Sequence, residues 1–85
     1  MKKVIVAVKD RAIDAYMNPF TVQHTNAACR AFQDEVNRDK SEMNQHPEDY
    51  ELYKLAEYNE ETGEIDPIRP PERLARAQDL ITQKD

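Results

Sequence analysis

The sequence predicts a small α+β domain: a mainly antiparallel sheet of about four strands, with two helices packed on one side. Three observations predict it. Val4 to Val8 is a continuous apolar run, mostly β-branched. Ala28, Phe32 and Val36 recur at every fourth position, the spacing of one helix face. Tyr50 to Tyr58 is rich in tyrosine and leucine and precedes Thr62-Gly63, which holds the only glycine of the chain.

The elements follow in order strand, strand, helix, strand, strand, helix. An apolar run such as Val4–Val8 suits a central strand covered on both faces. Residues 10–19 contain Asp10, Asp14, Asn18 and Pro19 and read as an irregular connection, with Tyr16 and Met17 partly buried. Phe20 to Gln23 alternates apolar and polar, as a short strand does, and Pro19 marks an edge or a strand start. Thr25 is a suitable N-cap for a helix from Asn26 to Asn37. Residues 38–47 form a polar loop with Met43 as its one anchor.

Between Tyr50 and Tyr58 a helix can use Leu52, Leu55 and Ala56, but the tyrosines and the downstream glycine favour a strand. In that strand Tyr50, Leu52, Ala56 and Tyr58 share one face, and Tyr53 and Leu55 the other. Gly63 supplies the positive φ that hairpin loops often need, and Glu64 to Asp66 returns as a short fourth strand. Pro67 and the pair Pro70-Pro71 end the sheet and open a C-terminal helix over residues 70–84, with Leu74, Ala77, Gln78 and Ile81 on one face.

A chain of 85 residues makes a single domain, residues 1–85, with a modest core. One such core rarely supplies more than about 3–5 kcal/mol, so a second copy of the chain is expected as a partner. Cys29 is alone, which rules out an intrachain disulfide and fits a reducing cytoplasm. The five apolar residues after Lys3 are fewer than a signal-peptide core holds, and no run approaches the roughly 20 needed to cross a bilayer. No membrane association is expected.

The net charge of −5 argues against nonspecific coating of nucleic acid. The charge is nevertheless unevenly placed. Residues 1–11 carry Lys2, Lys3, Lys9 and Arg11 against Asp10, whereas residues 34–66 carry twelve acids against three bases. A basic end and an acidic end permit a local nucleic-acid site.

His24, Cys29 and His46 are too few and wrongly spaced for a zinc site, and Cys29 reads as a small core residue. The carboxylates Glu48, Asp49, Glu51, Glu57, Glu60, Glu61 and Glu64 read as a solvated loop and an exposed strand face rather than an acid–base pair. One glycine cannot build a phosphate loop. Neither an enzyme nor a cofactor is expected. Single-strand binders combine basic side chains with aromatics on which bases stack. The candidates for that chemistry are Lys2, Lys3, Lys9, Arg11, Arg69, Arg73 and Arg76, the last three along one side of the C-terminal helix start, with Tyr53 as the stacking residue.

An apolar N-terminal strand followed by Asp10 leads into Asp14-Ala15-Tyr16-Met17-Asn18-Pro19-Phe20. A helix with Ala28, Arg30, Ala31 and Phe32 follows and ends at Val36-Asn37. The chain continues with His46-Pro47-Glu48-Asp49-Tyr50, Leu52-Tyr53, Glu57-Tyr58 and Thr62-Gly63. In order and spacing these pieces resemble the small nonstructural protein of gokushoviruses, the Chlamydia-phage type of Microviridae. Ala56 stands where that family often has glycine, and the C-terminal helix is the least characteristic part.

The resemblance implies a protein of the infected bacterial cytoplasm that is not a capsid component. It implies binding of viral single-stranded DNA and regulation of genome replication or packaging. Replication or packaging proteins, viral or host, are the partners it implies. The alternative is a protein–protein adaptor without direct DNA contact, which suits the acidic middle segment.

Overall fold

The structure, a computed structural model, describes residues 2–82. Five strands form one antiparallel sheet: β1 (Lys2–Asp10), β2 (Ala15–Tyr16), β3 (Phe20–Val22), β4 (Tyr50–Asn59) and β5 (Ile65–Arg76). The order is β2-β1-β4-β5, and β3 pairs with β1 as well. The apolar run at the N-terminus is thus central, as its composition predicts, but helices cover only one of its faces and not both. Three helices, α1 (Thr25–Val36), α2 (Glu42–Gln45) and α3 (Ala77–Leu80), complete the domain, with a 3-10 turn over Pro47–Asp49.

The stripe Ala28, Phe32 and Val36 of α1 is buried against Val4, Val6 and Val8 of β1 and against Tyr50 and Leu52 of β4. Met43 of α2 and Ala77 of α3 join the same cluster, with Cys29 packed beside it. All buried helical side chains therefore lie on one side of the sheet. Among the described residues the second face carries no helix.

Several expectations are corrected. Thr25 is the first residue of α1 and not its cap; His24 holds the cap position and makes no side-chain capping bond. The 38–47 segment is not wholly a loop. Ser41, which is buried, accepts from the Asn44 N–H at 3.0 Å, caps α2 and donates to the Glu35 carbonyl at 2.8 Å. Tyr16 and Met17 are exposed, and Ala15–Tyr16 forms a short strand the sequence reading missed.

The largest correction concerns residues 70–84. The fourth strand does not stop at Asp66 but continues as β5 to Arg76, and only Ala77–Leu80 is helical; residues 83 and 84 lie outside the described residues. Pro70 and Pro71 do not end the strand because they lie in the stretch between Pro67 and Glu72 that is not paired with β4. Pro67 sits on the edge strand, where an N–H turned to solvent makes no ladder bond.

Two of the three register shifts in the sheet insert a single residue and reset which side chains share a face. Ile5 pairs with Ala56 and Val6 with Lys54, so Leu55 is an extra residue in β4. Leu52 pairs with Ala75 and Tyr53 with Arg73, so Leu74 is extra in β5. Each extra residue reverses the alternation beyond it. Tyr58 consequently joins Tyr53 and not Tyr50, contrary to the simple alternating reading. Leu74 and Ala75 both pack on the core.

Candidate nucleic-acid interface

Side chains of directly paired residues project to the same face of a sheet. The pairs Lys3–Tyr58, Ala7–Tyr53, Lys9–Glu51 and Lys9–Tyr16 place Lys3, Lys9, Tyr16, Glu51, Tyr53 and Tyr58 together on the helix-free face. Tyr53–Arg73 and Glu51–Arg76 add two arginines of β5. Arg73 and Arg76 are three residues apart and would face oppositely on a regular strand. The extra Leu74 brings both onto this face.

Glu51 is the centre of the arrangement, and it is buried, with 6 % of its surface exposed. The Tyr53 hydroxyl donates to its Oε1 at 2.9 Å. Arg73 Nη1, Arg76 Nε and Arg11 Nη1 stand 3.5, 3.6 and 3.9 Å from its Oε2. Arg76 Nε is itself buried and makes no hydrogen bond. Arg11 comes from the turn after β1, held there by its own N–H bonded to the Asp49 carbonyl at 2.7 Å.

The turn reverses at Asp14, whose φ of 54° lies in the left-handed region that aspartate tolerates better than most residues. Asp14 also pairs with Lys9 at 3.2 Å, which raises the Lys9 pKa. Tyr16 then returns over Lys9, whose ammonium lies 5.6 Å from the ring centre, and meets Tyr53 edge to face. Burial, followed by the hydrogen bond to Glu51, raises the pKa of Tyr53.

Of the sequence-predicted residues, Lys9, Arg11, Tyr53, Arg73 and Arg76 come together here. Lys3 shares the face but sits at the hairpin end, paired with Glu60 at 3.2 Å. Lys2 projects to the opposite face and pairs with Glu57 at 3.8 Å. Arg69 is exposed in the stretch of β5 that bulges away from β4 between Pro67 and Glu72. The three arginines are strand residues, not helix residues as their spacing suggests. Sequence reasoning missed Tyr16 as a partner of Tyr53 and misread Glu51 as solvated. The only hint of Glu51 was its position between Tyr50 and Leu52.

Elsewhere, His46, Glu48 and Asp49 bring ligand atoms within 4.8 Å of one another at the surface. Three surface donors are fewer than the four of a structural zinc site. On the helix side, Val8, Met17, Phe20, Ala31, Phe32 and Met43 line an apolar groove of about 260 Å³. No helix among the described residues is long and apolar enough to cross a membrane.

The fold and site define a small one-sided sheet protein that presents arginines and tyrosines on its open face. The family described as Phage ORF5 protein matches residues 3–80, and the chain belongs to it. It is therefore a phage protein. No curated protein and no solved structure matches the chain.

Proposed function

We propose that this phage protein binds single-stranded DNA on its open sheet face and acts as a regulator of viral genome replication or packaging. The observation that carries the reading is the convergence of Arg11, Arg73 and Arg76 beside the Tyr16–Tyr53 pair on one uncovered surface. Guanidiniums contact phosphates, and aromatic faces accept bases that are not already stacked in a duplex. The net charge of −5 does not oppose this, because seven of the twelve acids in residues 34–66 lie at 34–49 or 66, outside β4 and its hairpin loop. The gokushovirus resemblance supports the same reading and implies action in the infected bacterium.

Fluorescence anisotropy of labelled single- and double-stranded oligonucleotides across a salt series tests the proposal. We expect preferential single-strand binding that weakens linearly on a log–log plot against salt. Absence of binding to either form at low salt sinks the direct DNA reading. It leaves the second reading, a protein–protein adaptor, which the apolar groove beside Met17 and Phe20 favours.

A further inference from the structure

We infer that Glu51 is a positioning residue, whose buried carboxylate gathers Arg11, Arg73 and Arg76 into one site for a phosphate group. The inference deepens the nucleic-acid reading and rests on it only for what carries the phosphate. Arg38 and Glu35 form a closed pair, with Nε and Nη2 donating to the two carboxylate oxygens at 2.9 and 2.7 Å. These are the lengths of strong charge-assisted bonds.

Around Glu51 no arginine comes closer than 3.5 Å, and all three crowd the same oxygen while Tyr53 takes the other. Each guanidinium carries five N–H donors in a rigid fork. The side chains of Arg11 and Arg73 are 53 % and 51 % exposed, so about half of each lies open to solvent. Arg76 Nε is buried 3.6 Å from Glu51 Oε2, beyond hydrogen-bond length, and makes no hydrogen bond.

Three like charges drawn to one point repel, and a single carboxylate beneath them lowers that cost. It cannot neutralise them: one negative charge under three positive ones leaves a net of +2 facing solvent. An anion with several oxygens completes the arrangement from above, and a phosphate presents them. Glu51 itself is fixed in β4, opposite Lys9 on one side and Arg76 on the other, and it holds the cluster from below.

The test records the side-chain Nε–H resonances of the full chain by NMR during titration with inorganic phosphate, for wild type and Glu51→Gln. Oligonucleotide anisotropy is measured in parallel. Wild type should show the resonances of Arg11, Arg73 and Arg76 moving together, and Glu51→Gln should bind phosphate about tenfold more weakly. Simple charge counting predicts the reverse, because the substitution removes a negative charge. Equal or tighter phosphate binding by Glu51→Gln overturns the inference, as does failure of phosphate to move the three resonances in wild type.

If Glu51→Gln does not fold, as its amide spectrum will reveal, Glu51→Asp withdraws the carboxylate by one methylene. It should also weaken phosphate binding, and unchanged affinity there overturns the inference. Phosphate binding lost in the variant, with no oligonucleotide binding by wild type, rejects the nucleic-acid reading and keeps the anion site. Oligonucleotide binding undiminished in the variant does the opposite.

Discussion

Tyr16 stands edge-on to Tyr53, with ring centres 5.6 Å apart and planes at 77°. Their strands are not neighbours: β1 runs between β2 and β4. The rings meet over that strand near Ala7, a small and fully buried residue paired with Tyr53. Such a pair offers one aromatic face and one edge to an incoming base. Tyr16→Ala and Tyr53→Ala should each weaken single-strand binding by about 1–3 kcal/mol. Because the rings touch, the double variant should lose less than the two single losses combined. Anisotropy titrations of all three variants measure this, and Tyr53→Phe should retain more affinity than Tyr53→Ala.

Asn37 fastens the C-terminal segment. Its Nδ2 donates to the Leu80 carbonyl at 3.0 Å, and its Oδ1 accepts from the Thr82 N–H at 2.7 Å. The partners are more than forty residues away in sequence, so the side chain replaces a backbone ladder that is absent there. Asn37→Ala should cost about 1–2 kcal/mol in urea unfolding. It should also speed hydrogen exchange at the Thr82 amide while leaving β4 protected.

Tyr50 makes stability depend on alkaline pH. Burial, then its hydrogen bond to Glu42 at 3.1 Å and the nearby Asp10, push its pKa up from 10.0 to about 12. The folded chain thus favours the neutral phenol. That stabilisation is complete below pH 10 and is lost as pH rises toward 12. The loss from this group approaches about 1.4 kcal/mol per pH unit across the window. Tyr50→Phe should be less stable at neutral pH by about 1 kcal/mol for the missing hydrogen bond. Its decline above pH 10 should be shallower, as thermal unfolding at stepped pH will record.

Gly63 closes the β4–β5 hairpin by donating its N–H to the Asn59 carbonyl at 2.8 Å. Its φ is +79°, and a methyl group added there meets nothing within 4 Å. The cost of Gly63→Ala is therefore conformational and not steric crowding. It should lower stability by about 1 kcal/mol without altering oligonucleotide affinity. Urea midpoints and anisotropy on the same sample separate the two effects.

Much of the fold is legible in the sequence because hydrophobic periodicity carries it. Ala28, Phe32 and Val36 define the covering helix, Val4 to Val8 the central strand, and Gly63 the hairpin. The failure at residues 70–76 has a physical cause. Leu74, Ala77 and Ile81 mimic a helical stripe, while Pro70 and Pro71 are compatible with a helix start and with an edge strand alike. Pairing with β4 decides between them, and single-residue patterns do not contain it.

The candidate site was half legible for the same reason. Lys9, Arg11, Tyr53, Arg73 and Arg76 stand out by residue type. Their convergence depends on the extra residue Leu74, and the common face of Tyr53 and Tyr58 depends on Leu55. Nothing in the local sequence around either leucine announces a bulge. Glu51 was misread because a carboxylate is ordinarily solvated, and only the arginines gathered by tertiary pairing explain its burial.

The most direct measurement of the central claim is amide and tyrosine-ring chemical-shift mapping of the full chain with an oligothymidylate. The account predicts shifts confined to the open face, at Lys9, Arg11, Tyr16, Tyr53, Tyr58, Arg73 and Arg76, with Ala28 to Val36 of the covering helix unmoved. Shifts centred on that helix and the groove beside Phe20, or none at all, contradict it.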